Sequence, residues 1–595
     1  METTKNNRGI VIFSLTVIAA IFILVIIYAK QHEYFYVSQR ETQTAISSYY
    51  MIHEDTGLFD YITPVSGYPW AIPFEFPIYQ YIAARIAGNL LPLNEVGRVL
   101  SLLFFMGTLF ICFRLLRQLE VSLDQSFLLL ALLASSPIYL SYSFSFTIET
   151  TALFFAVLYL YLYILYLKKK HPVTLILAIG AGILAILTKT TTWVVIGGLI
   201  AVVIAWGIFQ KIKEKQFRVH FKDFIYQSLV VIIPLISGYL WTLYADSVKM
   251  ANPLGALATS SALQSWTYGT IAQKFSIFQW FYFLVRSFIG IFGIMGILIP
   301  FLLLYRYLKK RKFNRDKKIN GIDKKLLLLT AATFFIGPVI FTNLYFEHDY
   351  YVIAGGLFLI FPVYFILKDH FKKFLFILLI VSNLITAYFY LYLKQVNYYN
   401  PLNQHIVNTI KQVPGEYSLI VFGATFDSFI PYYSHKKALQ TNSDDFSDNT
   451  FQEALKNMKD KNVGLIVVKS NTYDKIAALT ASELGLSERF EINNKVSIYY
   501  NPGLKAFLNL ETIDTGDIAN RRLAKFLKQF NAHGNRVIIS FDSEHLFSVV
   551  YYRNGNFYMF DFKNGFQVLD YKRYGFGPKS KEIKLDVKDK RDSGQ

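Results

Sequence analysis

Residues 147–167 read TIETTALFFAVLYLYLYILYL, and three lysines follow at 168–170. About 20 mostly apolar residues are enough for a helix to cross roughly 30 Å of hydrocarbon, so this stretch predicts a membrane span. Its two ends differ, because Glu149 lies near the first residue and the lysines lie just beyond the last. Since Lys and Arg collect on the cytoplasmic side of a membrane, the stretch also predicts the direction of crossing.

The composition extends this interpretation to most of the chain. Of its 595 residues, 53% are hydrophobic and 17% are charged, and the mean hydropathy is +0.34. Soluble domains carry about 25% charged residues. The net charge of +19 lies mostly in short basic runs between apolar stretches, which argues against a nucleic-acid-binding protein. The single cysteine, Cys112, excludes a disulfide within the chain and a multi-cysteine metal site. The chain is predicted to be a polytopic α-helical membrane protein.

We predict eleven spans from the apolar stretches, at 10–29, 98–115, 126–143, 147–167, 172–188, 192–209, 225–244, 279–303, 326–343, 351–367 and 374–393. The apolar core of the first is too long for a signal peptide, so we expect it to remain uncleaved. Of the 33 Lys and Arg residues before 394, 25 lie in one set of alternate connections. That set is predicted to be cytoplasmic, so the protein is expected in the cytoplasmic membrane with its N-terminus on the cytoplasmic side and its C-terminal domain on the extracytoplasmic side.

The polar segments divide the chain into four predicted parts. Residues 1–395 form a membrane domain whose long first outer loop is 30–97. Residues 396–502 form an outer α/β domain, because short buried strands are expected at 418–424 and 463–469 with a helix between them. Residues 503–578 form a small α+β extension, with a helix at 518–530 and hairpins at Asn554-Gly555 and Asn564-Gly565. Residues 579–595 are predicted to be a disordered basic tail.

Several ionisable residues lie at the predicted outer ends of spans, where charge is costly and therefore suggests function. Arg40 and Glu41 follow the first span, and Glu149 and Lys189 lie at the outer ends of the fourth and fifth spans. The turn between the ninth and tenth spans reads Glu347-His348-Asp349-Tyr350-Tyr351. Together they predict one polar site at the outer membrane surface.

These motifs resemble those of GT-C fold membrane glycosyltransferases of the protein mannosyltransferase and aminoarabinose transferase type. Residues 40–45 resemble the first-loop motif of that family, and residues 67–79 resemble its proline-rich segment. Residues 146–154 resemble its Met-Pro-Asp/Glu helix start, 187–189 its Leu-Thr-Lys, and 347–351 its His-x-Tyr-Tyr. The resemblance covers residues 1 to about 395. It implies a GT-C fold and the transfer of a sugar from a polyprenyl-phosphate carrier on the non-cytoplasmic face.

The resemblance also implies roles for the charged residues. Transfer needs a carboxylate as general base, which is expected to contribute about 10²–10⁴ in rate. Where many members have an acidic pair, this chain has Glu41 followed by Gln43, so Glu41, oriented by Arg40, is the expected base and Glu75 is the alternative.

The carrier phosphate needs positively charged or hydrogen-bonding donors. These are expected from Lys189, His348, Tyr350 and Tyr351, while Glu149 and Asp349 bind the acceptor or hold the structure. A divalent metal is compatible with such carboxylates, although no spacing demands one.

The expected partners are therefore a polyprenyl-phosphate sugar donor, membrane lipids, and an acceptor that is a lipid-linked glycan, a lipid or a protein. Two other classes of function remain open from sequence. A transporter or flippase for polyprenyl-linked lipid would place charges at the bilayer midplane and show paired, broken helices. A non-catalytic envelope assembly protein would act through its outer tail and would not need the surface carboxylates.

Overall fold

The structure is a computed structural model that describes residues 8–31, 38–309, 318–319, 322–398, 401–510, 537–542, 545–553, 556–561 and 565–569. Within these residues, six helices are long and apolar enough to cross a membrane, or up to eight if each of two bent helix pairs is one span. Shorter apolar helices occupy Pro172–Thr188, Ile294–Leu308 and Val352–Lys368. The chain is thus a multi-pass membrane protein, but the predicted count of eleven spans is not confirmed.

The part of the chain before residue 400 is almost entirely helical. The first helices are α1 (Arg8–Gln31), α2 (Ser38–His53), α3 (Ile78–Ala87), α4 (Leu93–Gln118), α5 (Leu123–Ser135), α6 (Pro137–Ser143), α7 (Glu149–Lys169), α8 (Pro172–Thr188), α9 (Thr190–Lys213) and α10 (Phe217–Met250). They are followed by α11 (Gln264–Tyr268), α12 (Ile271–Phe275), α13 (Ile277–Phe292), α14 (Ile299–Lys309), α15 (Lys324–Thr333), α16 (Ile336–Ile340), α17 (Thr342–Glu347) and α18 (Val352–Tyr398), with a two-residue strand pair, β1 (Lys318–Ile319) and β2 (Ile322–Asp323), between α14 and α15.

Breaks inside apolar stretches explain why spans cannot be counted from hydropathy alone. The predicted span 126–143 is two helices, α5 and α6, which meet at an angle of 69°. The break falls where Pro137 begins α6, because proline lacks the N–H that would continue the hydrogen bonds of α5. The helices 264–275 and 277–292 are likewise bent by 112°.

The long helix α18 folds back on itself. The rings of Tyr364 and Phe376 lie 4.6 Å apart, although twelve residues of straight helix would separate them by about 18 Å. At the far ends, the Tyr390 hydroxyl donates a hydrogen bond to the Asp349 carboxylate. Residues 352–368 and 373–391 therefore run antiparallel, in the positions of the two predicted stretches 351–367 and 374–393.

The residues after 400 build a five-stranded sheet with helices beside it. Its strands are β3 (Ser418–Phe422), β4 (Ala438–Thr441), β5 (Val463–Val468), β6 (Glu488–Glu491) and β7 (Ser497–Tyr500), and its helices are α19 (Pro401–Ile410), α20 (Phe429–Ser434), α21 (Asn449–Met458) and α22 (Asp474–Glu483). The strand order is β4-β3-β5-β7-β6, with parallel pairing among β4, β3 and β5 and antiparallel pairing beyond. The strands and the helix predicted at 418–424, 463–469 and about 450–460 are present.

The first loop is joined to the edge of this sheet. The N–H groups of Ala438 and Gln440 donate to the carbonyls of Pro64 and Val65, and the N–H of Gly67 donates to Ala438. Lys437 also pairs with Glu54 at 2.7 Å. The loop that leads from α2 to α3 thus extends the sheet beyond β4 and fixes the outer domain against the membrane part.

Four further strands, β8 (Val537–Asp542), β9 (His545–Arg553), β10 (Asn556–Asp561) and β11 (Gly565–Leu569), form an antiparallel sheet in the order β11-β10-β9-β8. Arg553 pairs with Asn556 across the predicted turn at Asn554-Gly555, and Asp561 pairs with Gly565 in the second hairpin. The predicted helix at 518–530 and the basic tail 579–595 lie outside the described residues. The boundaries 396–502 and 503–578 stay predictions.

Candidate active site at the predicted outer end of the bundle

Five separate segments deliver charged and aromatic side chains to one end of the helix bundle. They are the first turn of α2, the loop before α3, the junctions that begin α7 and α9, and the turn between α17 and α18. At Lys189 the backbone is extended (φ −161°, ψ 102°), so α8 ends and α9 begins there and the side chain projects at a helix break. We call Arg40, Glu75, Glu149, Lys189, Tyr350 and Tyr351 the outer cluster.

One ion pair of the outer cluster lies within the first loop. The Arg40 guanidinium lies 3.1 Å from the Glu75 carboxylate, and their side chains are 22% and 11% exposed. Arg40 also donates to Gln43, and the second oxygen of Glu75 accepts from Gln80 at 2.8 Å. Each group is thus held in orientation by a second polar partner.

A second ion pair lies deeper. The Lys189 ammonium binds the Glu149 carboxylate, and their side chains are 9% and 2% exposed. The same ammonium lies 4.6 Å and 4.4 Å from the ring centroids of Tyr350 and Tyr351, which is cation–π geometry. The free oxygen of Glu149, Oε1, is buried and has no hydrogen-bond partner in the described part of the chain.

Electrostatics joins the two pairs into one site. Burial opposes the charge on Arg40, but Glu75, Tyr350, Glu149 and Tyr351 together raise the pKa of its guanidinium. Burial raises the pKa of the Tyr351 phenol to about 12, so it stays protonated at neutral pH and can donate a hydrogen bond. The outer cluster therefore contains two fixed cations, two carboxylates and two neutral phenols within mutual influence.

His348 and Asp349 belong to the same turn but have different surroundings. The His348 ring stacks on Tyr350 at 5.1 Å, and burial lowers the pKa of its imidazole despite nearby Asp349. The Asp349 carboxylate accepts from the hydroxyls of Tyr142, at 2.8 Å, and Tyr390. Asp349 thus ties the turn to α6 and to the end of α18, and His348 borders the outer cluster.

Glu41 lies beside the outer cluster rather than at its accessible side. Its side chain is fully buried, and one carboxylate oxygen accepts the Phe146 backbone N–H at 2.9 Å. This contact holds the junction that leads into α7, directly before Glu149. Of the two first-loop carboxylates considered from sequence, Glu75 is the one with exposed surface.

Three sets of side chains around the outer cluster were not predicted from the sequence. Arg286 of α13 donates to the carbonyls of Tyr345, Phe346 and His348 and so fixes the tyrosine-bearing turn. Gln80 orients Glu75. The hydroxyls at the start of α7 are buried without a hydrogen-bond partner within the described residues, namely those of Thr147, Thr150 and Thr151. Arg286 carried a signal, because a lone arginine interrupts an apolar stretch.

The described residues contain no group of three or more His, Cys, Asp or Glu side chains arranged to hold a metal ion. The two carboxylates of the outer cluster, Glu75 and Glu149, are each paired with a basic side chain, Arg40 and Lys189 respectively. The arrangement is therefore suited to binding an anion at Arg40 and Lys189 and to accepting a proton at a carboxylate.

The fold is similar to that of a solved structure of ArnT. The structure of ArnT from Cupriavidus metallidurans bound to undecaprenyl phosphate superposes with a TM-score of 0.55 at 12% identity, covering 84% of this chain and 99% of that chain. Apo ArnT from the same organism gives 0.42 at 13% identity (82% and 97% covered), and the apo Archaeoglobus fulgidus oligosaccharyltransferase gives 0.48 at 12% (91% and 80% covered).

No protein-family model matches the sequence, and no curated protein sequence matches it significantly. The likeness to the undecaprenyl-phosphate-bound ArnT structure confirms the predicted resemblance at the level of the fold, which is the GT-C fold of membrane glycosyltransferases.

Proposed function

We propose that the protein is a membrane glycosyltransferase that moves a sugar from a polyprenyl-phosphate donor to an acceptor hydroxyl at the outer face of the cytoplasmic membrane. The observation that carries the proposal is the outer cluster itself. Five segments that are distant in sequence place two cations, two carboxylates and two phenols at one end of an apolar bundle, where unpaired charge would be costly.

The reaction needs one proton acceptor and one anion site. The acceptor oxygen forms a bond to the anomeric carbon while the bond from that carbon to the phosphate oxygen breaks. The bonding electrons leave with the phosphate, and the hydroxyl proton passes to a carboxylate. Arg40 and Lys189 stabilise the charge that develops on the phosphate, and the phenols of Tyr350 and Tyr351 add neutral donors.

Glu75 is the first-loop carboxylate that best fits the general base. It is the more exposed of the two, and Arg40 and Gln80 hold it in place. Glu41 is fully buried and binds the Phe146 N–H, so it suits a positioning role at the start of α7. Because both residues lie in the first loop, the proposal of a first-loop base is tested by comparing them.

Glu149 and the three threonines around it fit the binding of sugar or acceptor hydroxyls. Glu149 Oε1 and the hydroxyls of Thr147, Thr150 and Thr151 are buried and lack hydrogen-bond partners in the described part of the chain. Buried polar atoms are normally satisfied, so these four atoms are suited to a polar ligand that enters the site. His348 borders the phosphate region through its stacking on Tyr350.

Phosphate binding is tested with undecaprenyl phosphate as the probe and the full chain in nanodiscs. We expect Arg40→Gln and Lys189→Gln to weaken binding by roughly 10- to 100-fold each, the value of a charge-assisted hydrogen bond. Arg85→Gln is the matched control, because Arg85 is a half-exposed first-loop arginine paired only loosely with Asp55, at 3.6 Å. Equal binding by all three variants and the unchanged protein would refute the anion site.

The base is tested by transfer of radiolabelled sugar from polyprenyl phosphate in membranes that contain the protein. Glu75→Gln is expected to lower the rate by about 10²–10⁴ without loss of undecaprenyl phosphate binding. Glu41→Gln should instead lower thermal stability along with activity, because it alters the contact that begins α7. Full activity in both variants would rule out a first-loop general base.

A further inference from the structure

The helix bundle contains a second feature that the outer cluster does not use. It is a cavity of about 290 Å³ among α4, α5, α7, α9, α15 and α18, and its lining is almost wholly apolar. Its walls include Leu116, Leu133, Leu160, Ile200 and Phe358, and the single cysteine, Cys112, also faces it. An apolar cavity of about 150 Å³ already stays dry and takes up apolar molecules, so a cavity of this size is suited to hydrocarbon.

The cavity lies toward the end of the bundle opposite the outer cluster. On α7 its lining residues run from Leu160 to Leu167, which places them ~16 to ~27 Å along the helix from Glu149. Leu119, at the end of α4, belongs to its rim and is 38% exposed. This end is the one that the Lys and Arg count predicts to be cytoplasmic.

Cations lie at the same end of the bundle as the rim. The Lys168 ammonium donates to the Gln118 carbonyl at 3.1 Å, next to the rim residue Leu119. In sequence, Lys325 directly precedes the lining residue Leu326, and Arg114 precedes Leu115. All three side chains are exposed. A hydrocarbon-lined cavity with cations near its rim is complementary to an anionic lipid with its hydrocarbon chain inside and its phosphate outside, and at the predicted cytoplasmic end that chemistry is the chemistry of an anionic phospholipid.

We propose that this cavity binds one acyl chain of an anionic phospholipid from the predicted cytoplasmic leaflet. The lipid fills the space between α4, α7 and α15 and joins helices that otherwise leave a void, and its headgroup contacts the basic rim. The site is separate from the outer cluster, so it holds a resident lipid and not a reactant.

The first test measures retained lipid by native mass spectrometry of the full chain. The protein is released from nanodiscs made of equal phosphatidylglycerol and phosphatidylcholine. We expect one phosphatidylglycerol to be retained, and Leu160→Trp to lower its retention roughly tenfold, because the indole displaces several methylene groups. Leu177→Trp is the matched control, because Leu177 is 51% exposed on α8 and lies away from the cavity.

A second test uses the unmodified chain and is independent of how any variant folds. Since Cys112 is the only cysteine, its alkylation by N-ethylmaleimide reports directly on the cavity. Delipidated protein should be alkylated roughly tenfold faster than protein reloaded with phosphatidylglycerol, while phosphatidylcholine should protect less.

Three outcomes would overturn the proposal. The first is equal retention of phosphatidylglycerol by the unchanged protein and by Leu160→Trp. The second is a rate of Cys112 alkylation that is the same with and without phosphatidylglycerol. The third is protection of Cys112 by undecaprenyl phosphate in place of phospholipid. The last would assign the cavity to the chain of a polyprenyl lipid. Failure of sugar transfer would leave the cavity proposal unaffected, since neither readout requires catalysis.

Discussion

Two lysine–carboxylate ion pairs at opposite ends of the bundle differ in how far their side chains are exposed. At the outer end, Lys189 and Glu149 pair with 9% and 2% of their side chains exposed, and two aromatic rings cover the ammonium. At the other end, Lys373 and Asp124 pair at 2.9 Å, but Lys373 is 44% exposed. The second pair joins the turn within α18 to the start of α5 in contact with water.

The two pairs differ in the free energy that is needed to form them, because one is in contact with solvent and the other is buried. A pair in contact with solvent is cheap to form and contributes little to stability. A buried pair has lost its hydration, so it persists only when its geometry and surroundings compensate, and an apolar pair of similar shape is often as stable. The binding role proposed for the Lys189–Glu149 pair therefore accounts for its burial better than a contribution to stability does.

The largest expected effect is on stability when the buried pair is broken. Glu149→Gln leaves a buried ammonium without its counter-charge, so we expect a loss of about 3–5 kcal/mol in the free energy of unfolding. Asp124→Asn should cost less than about 1 kcal/mol, because Lys373 remains hydrated. Both are measured by thermal unfolding of the full chain in detergent. Similar losses in the two variants would contradict the contrast between the ends.

The double variant Glu149→Gln with Lys189→Met sharpens this result. Removing both charges should restore most of the stability lost in Glu149→Gln, because no unpaired charge remains. It should not restore binding of undecaprenyl phosphate. A double variant that regains both properties would make the pair purely structural.

An intermediate effect is expected from the rings over Lys189. Tyr351→Leu removes a cation–π contact and should cost about 1–2 kcal/mol in stability, whereas Tyr351→Phe keeps the ring and should cost much less. If phosphate also uses the phenol, Tyr351→Phe will weaken undecaprenyl phosphate binding while leaving the melting temperature unchanged. Identical behaviour of the Leu and Phe variants would show that the ring does not act on the ammonium.

The smallest effect concerns the pH dependence of anion binding. Burial lowers the pKa of His348 below its usual 6.5, so the free protein carries it neutral at pH 7. A bound phosphate favours the charged imidazole and raises that pKa, so binding takes up a proton and tightens as the pH falls. Between pH 7 and pH 5 the unchanged protein should gain roughly two- to fivefold in affinity over His348→Asn. Parallel profiles for the two proteins would exclude His348 from the phosphate region.

The spatial clustering of these residues was predictable from sequence, because the two ends of an apolar stretch lie at opposite membrane surfaces. Glu149 and Lys189 each lie at one end of a span, and basic runs mark the other, so both must reach the same surface. Their contact follows from that constraint. The same reasoning predicted that the turn at 347–351 lies at this surface. The contact of its two tyrosine rings with the Lys189 ammonium could not be predicted from sequence.

The roles of neighbouring residues could not be resolved in the same way. Arg40 and Glu41 are adjacent on α2, and adjacent helix residues point about 100° apart. One therefore faces Glu75 while the other turns inward to the Phe146 N–H. The span count was limited for a different reason, because hydropathy does not register a helix that breaks, as at Pro137.

The strand contact between residues 64–67 and β4 has a consequence for how the protein is made. The ribosome delivers the first loop early, but its hydrogen-bonding partners at Ala438 and Gln440 emerge some 370 residues later. The segment that carries Glu75 therefore lacks this strand pairing while most of the helices insert, although Asn252 can already bind the carbonyls of Ser66 and Gly67. A nascent chain halted before β4 would possess every residue of the outer cluster but not the sheet edge that pairs with the first loop.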